Sequence, residues 1–196
     1  MRYRLAALML FAVLPMMNVL AAPAPDPYAI LEIEKPPKGM TVEEHRKNEI
    51  HRLTSPHGFW NEIWCDPAVR KLPSVAPLKD ARPWLTKNLR VTEEDGGLRL
   101  RLTFRAGNRA EQVVILNALL RSTLRSSEEY IKFREEGLRS YEACIVELEK
   151  RIKSGQHRES VDSYRKGIDE LRSIRIPECR AEIARLKQLT VIKWAK

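Results

Sequence analysis

The sequence predicts an α/β (α+β) protein: a small mixed sheet covered by short helices, with a long antiparallel helical hairpin, a coiled coil, projecting from it. Three observations predict it. Leu98, Leu100, Leu102 and Phe104 alternate with Arg99, Arg101, Thr103 and Arg105, the pattern of a strand with one apolar and one basic face. Ala106-Gly107 breaks that period, and from Val113 the apolar residues step by three and four, the period of an amphipathic helix. The closing run TVIKWAK reads as a strand again, so helices lie between two β segments and need a common sheet to pack on.

Taken in order, the chain begins with Arg2 and Arg4 before an apolar run from Leu5 to Leu14, and Val19-Leu20-Ala21 offers a small-residue cleavage site. Residues 1–21 therefore read as a signal peptide; the run is too short to make an uncleaved membrane anchor the better reading. The implied location is periplasmic or secreted, the alternative an N-terminal anchor in the inner membrane. Residues 22–27 (APAPDP) form a short stiff linker.

Tyr28 to Ile33 is the first predicted strand. Thr41 with Glu44 has capping-box spacing and opens a mostly polar helix to Leu53, which should lie on the surface. Ser55-Pro56 opens a second helix carrying Phe59, Trp60, Ile63 and Trp64; Asp66-Pro67 opens a third, and residues 80–87 hold a fourth with Trp84. Leu89 to Glu93 and Leu98 to Arg105 make a hairpin around Glu94-Asp95-Gly96-Gly97.

From Arg109 to about Lys153 the chain reads as one helix. Leu124, Ile131, Leu138, Ile145 and Ile152 recur every seven residues, with Leu120, Tyr141 and Leu148 at companion positions and Ser127 and Arg134 interrupting that second row. This is a coiled-coil seam, imperfect in its middle. Leu124, Ile131, Leu138 and Ile145 are its candidates for self-association. Such a helix needs a returning helix, a second chain, or both. A return follows the turn at Ser154-Gly155-Gln156-His157, with Val161, Tyr164, Ile168, Leu171 and Ile174 on one face. Pro177 should start a further helix, and residues 190–195 make the last strand. The division expected is a base of residues 28–107 plus 190–196 and a hairpin arm of residues 108–189.

This ordered series resembles the Wzz-type chain-length-determinant domain of polysaccharide co-polymerases. The matching residues are the strand Leu98 to Phe104, then Gln112, Asn117, Ala118 and Leu119 in the helix. Tyr28 to Ile33, Ser55, Asp66-Pro67, Leu89-Arg90-Val91 and Val191 to Ala195 follow at similar order and spacing. The family usually opens the long helix with Asp-Pro, where this chain has Asn108-Arg109, and it carries a second membrane helix after the last strand. The resemblance implies a non-catalytic cell-envelope scaffold that forms homo-oligomers and influences polysaccharide chain length or export, beside membrane-bound polysaccharide-export proteins.

The residues bear on chemistry as well. The 196-residue chain has 35 Lys and Arg against 26 Asp and Glu, a net charge of +9, which favours an acidic partner. Arg99, Arg101 and Arg105 on the polar strand face are the candidates for binding one, an acidic polysaccharide in an exported protein rather than nucleic acid. No phosphate-binding loop or G-x-S-x-G motif occurs, no two cysteines lie at metal-ligand spacing, and His45 and His51 stand six apart, wrong for two ligands on one helical face, so no catalytic residue, cofactor, small-molecule cofactor site or metal site is expected, and the chain does not read as an enzyme. Phe59, Trp60, Trp64 and Trp84 are expected in the core. Cys65, Cys144 and Cys179 are an odd set, expected as buried single thiols; a Cys144–Cys179 bridge would be staggered by the turn. The alternative function is a basic coiled-coil periplasmic chaperone, a holdase for outer-membrane or secreted proteins.

Overall fold

The computed structural model describes residues 25–55, 60–94, 96–155 and 160–196. The expected signal peptide, Phe59, the helix start expected at Pro56, and Asp95, Gln156 and His157 of the two expected turns lie outside them. Four strands, β1 (Tyr28–Glu32), β2 (Leu89–Glu94), β3 (Arg99–Phe104) and β4 (Thr190–Lys193), form one sheet in the order β2-β3-β1-β4. Every neighbouring pair is antiparallel, which corrects the expected mixed sheet. β1 and β2 do run the same way, but the β2–β3 hairpin folds back between them, so no parallel neighbours result.

Alternation decides which face is covered. Ala29, Leu31, Leu100, Leu102, Phe104 and Leu89 point inward and are buried. Four short helices, α1 (Val42–Thr54), α2 (Trp60–Cys65), α3 (Pro67–Arg70) and α4 (Arg82–Asn88), pack with the start of the long helix α5 (Arg109–Ser154) on that side. Trp60 is fully buried in this core, Trp84 stands edge-on to Phe104 with ring centroids 5.4 Å apart, and Trp64 packs at its margin. These three tryptophans therefore belong to the core, as their helical spacing suggested.

α5 starts with the capping box foreseen, Asn108 with Glu111, and ends at Gly155 in the left-handed conformation (φ 66°). Its 46 residues span roughly 70 Å at 1.5 Å per residue. The first turns belong to the core over the sheet, through Ile115, Leu116, Leu119 and Leu120 with Leu124 against them. The expected boundary at residue 108 thus falls inside one packed unit. Farther along, Leu138, Tyr141, Ile145, Leu148 and Ile152 pack on Ile168, Leu171 and Ile176 of the return.

That return is α6 (Val161–Glu170), a π-helical turn (Leu171–Arg175) and α7 (Ile176–Leu186). The expected break at Pro177 is absorbed differently. A proline in a regular helix loses one hydrogen bond and strikes the carbonyl four residues back. Here the turn before it widens, so that the Ile176 N–H bonds to the Leu171 carbonyl and the chain continues as helix.

The polar α1 was expected on the surface. Instead His45, Glu49 and Leu53, four residues apart on one stripe, are buried. Cysteines also differ from expectation. All three are free, but Cys65 and Cys144 are exposed and only Cys179 is buried. Cys144 precedes the inward-facing Ile145 by one residue, about 100° round the helix, so it turns away from the return.

Candidate functional site

The uncovered sheet face is set by the same alternation. It carries Arg90, Thr92 and Glu94 from β2, Arg99, Arg101 and Thr103 from β3, Tyr28, Ile30 and Glu32 from β1, and Lys193 from β4. None of these is buried, and among the described residues all the packed helices lie on the other side. Two of the three predicted arginines, Arg99 and Arg101, share this face. Arg105 lies one residue past β3 and is exposed.

Arg101 is held at 2.5 Å by Glu94 and its guanidinium lies 4.5 Å from the Tyr28 ring centroid. The Lys193 ammonium sits 3.4 Å from the same ring. One tyrosine thus draws two cations together through its π face. Arg99 and Lys193 have no carboxylate partner among the described residues, and Arg90 bonds only to the carbonyls of Lys87 and Leu89. The face therefore presents four cations against Glu32 and Glu94. It can hold an extended anion by charge; at its edge a pocket of about 140 Å³ is lined by Tyr28, Arg109, Lys193 and Lys196 among others. Lys193 and Tyr28 escaped the sequence reading because they come from opposite ends of the chain, and only the β1–β4 pairing puts them beside Arg101.

Where the chain ends meet, two side chains of α5 fasten them. The Asn117 amide accepts from the Ala195 N–H at 3.0 Å and donates to its carbonyl at 3.2 Å, so a side chain completes the ladder where β4 runs out. Arg109 donates to the carbonyl of Pro25 and, at 3.3 Å, to that of Lys196. Asn117 and Ala195, both named by the resemblance, are in contact; Arg109, the departure from it, clasps both ends.

The predicted self-association residues lie within the chain. Leu138 and Ile145 pack on the return, Leu124 packs against the core over the sheet, and Ile131 is half-buried between the two clusters. The gap in the seam at Arg134 has a partner, since Glu182 of α7 meets Arg134 at 2.5 Å and accepts from the Tyr130 hydroxyl at 3.1 Å. Tyr130 and Phe133, stacked 6.3 Å apart, remain exposed beside it.

Two other places gather polar groups. A cleft of about 840 Å³ between α2, α3 and α5 is lined by Glu62, Cys65, Asp66, Arg121 and Ser122 among others. Within it Arg121 meets Asp66 at 3.2 Å, Arg125 meets Glu129 at 3.1 Å, and Ser122 donates to Glu62 at 2.7 Å. The second is buried. Glu34, His45 and Glu49 each offer one metal-ligand atom, and these atoms lie within 4.8 Å of one another. The sequence reading foresaw no metal-ligand set. His45 and Glu49 have helical i, i+4 spacing that was readable, but Glu34 joins them from the end of β1.

No family model matches the chain, and no curated protein matches it.

Proposed function

We propose that this chain is a non-catalytic, exported scaffold of the Wzz-like type, which self-associates and modulates polysaccharide chain length or export through contact with an acidic glycan. The observation that carries the reading is the sheet order β2-β3-β1-β4. It joins both ends of the described chain side by side and leaves a long helix and its return as the excursion between them, as the resemblance implies. In this reading α5 with α6 and α7 is a coiled-coil arm, and the leader delivers the chain across the inner membrane or tethers it there. Among the described residues no helix is long and apolar enough to cross a membrane. The glycan-binding part of the proposal rests on the cation excess of the uncovered sheet face.

The test is retention of the purified chain on an immobilised polyuronate over a salt gradient. The wild type should bind at low salt and elute as salt screens the contact; R99E/K193E should elute much earlier, with an unchanged circular dichroism spectrum. Passage of the wild type through the column at low salt would exclude the glycan contact.

One observation favours the alternative holdase reading: Phe133 is 65% and Val146 64% exposed on α5, and Ile174 47% on the return. A holdase should suppress aggregation of an unfolded outer-membrane protein at near-stoichiometric ratio, and F133S/V146S should lose that effect. The scaffold reading expects no suppression.

A further inference from the structure

The scaffold reading makes no use of the buried cluster under α1. Glu34 is 6%, His45 4% and Glu49 8% exposed, and each is anchored through one half only. Glu34 Oε1 accepts from Arg185 at 2.8 Å. Glu49 Oε2 accepts from Arg52 Nε at 2.8 Å and from its Nη2 at 2.5 Å. His45 Nε2 lies 2.9 Å from the Glu34 backbone carbonyl. A carbonyl only accepts, so Nε2 carries a proton, and in the neutral imidazole Nδ1 keeps a lone pair. Each of the three residues offers one ligand atom, and these atoms lie within 4.8 Å of one another.

Three buried groups of ligand type stand close enough for one cation to draw them together. Their anchored halves follow the pattern that orients metal ligands: an imidazole donating its far N–H to a backbone carbonyl, and carboxylates steadied by a second set of donors. We propose that Glu34, His45 and Glu49 form the binding site of one divalent transition-metal cation. One imidazole and two carboxylates without a thiolate suit zinc and its neighbours rather than copper(I). Arg52 and Arg185 neutralise the two carboxylates, so the cation is held by directed lone pairs rather than by a net negative field. The cation would tie the end of β1 to α1, with α7 bound in through Arg185. This site is independent of the glycan-binding face and of the scaffold reading.

The experiment uses the full chain in a C65S/C144S background, which removes the two exposed thiolates. After chelator treatment it is titrated with Zn²⁺ by calorimetry and with Co²⁺ by visible absorption. The expected result is one Zn²⁺ per chain and Co²⁺ d–d bands without thiolate charge transfer. H45Q and E49Q should each weaken binding by at least about tenfold, a ligand being worth no less than the outer-shell partners that orient it; H51Q, on the exposed side of α1, should not. A folded C65S/C144S chain that binds no Zn²⁺ and gives no Co²⁺ bands overturns the proposal, as does undiminished affinity in H45Q and E49Q. Should both variants fail to fold, the stoichiometry and Co²⁺ spectrum of the C65S/C144S chain decide the question.

Discussion

Single side chains fasten this protein at points where regular structure runs out. Asn117 is half-buried and satisfies both backbone groups of Ala195. N117A should cost about 1–3 kcal/mol, since it leaves those groups unpaired, and hydrogen exchange at residues 191–193 should speed up before the rest of the sheet. Glu111 does similar work at the start of α5. Burial opposes its charge, but the N–H groups of Asn108 and Ser74, at 2.8 and 3.0 Å, outweigh that and hold its pKa below the ordinary 4.5. A carboxylate depressed on folding stabilises above its unfolded pKa, and that stability is lost as pH falls through its folded pKa. Thermal melts of wild type and E111Q should therefore differ at neutral pH and converge only as pH falls below 4.5 and through the lowered folded-state pKa, where the wild-type group is protonated in both states. The capping box at Asn108 was readable from spacing alone. The Ser74 bond was not, because it joins residues 37 apart. Asn117 entered only through a resemblance, since nothing local to it points at Ala195.

At the scale of elements, periodicity carried most of the information. Of the heptad row on α5, Ile145 is buried and Leu124, Ile131, Leu138 and Ile152 are half-buried, and at its interruption Arg134 meets Glu182 of α7. What the row could not say was which partner covers it, since an apolar stripe looks alike to a returning helix and to a second chain. α1 misled for a different reason. His45 and Glu49 count as polar in any pattern, yet in the interior the Glu34 carbonyl meets His45 and Arg52 meets Glu49. The π-helical turn was equally hidden, because Pro177 announces a disruption but not how the chain accommodates it. Gly137 offers the test at this scale. It sits in mid-α5 with nothing within 4 Å of where a Cβ would be. G137A should raise stability by about 0.5–1 kcal/mol, seen as a higher denaturant midpoint with an unchanged slope. A loss of stability would mean that the helix needs its glycine there, as a bent helix does.

Over the whole molecule, the decisive feature is the pairing of β1 with β4. It brings two strands from opposite ends of the described residues side by side, and it assembles Tyr28, Arg101 and Lys193 on the bare face. The strands at both ends were visible as alternating runs, and the hairpin between β2 and β3 followed from its glycines. The order of strands could be expected from the resemblance but not from the runs themselves, which fix faces and not neighbours. The functional account adds that this sheet and its helical excursion serve assembly around an acidic glycan. Multi-angle light scattering of the chain, with and without a soluble acidic polysaccharide, tests that most directly. The account predicts a defined oligomer that grows or sharpens when the glycan is added and reverts in high salt. A monomer whose mass is the same with and without the glycan would contradict it.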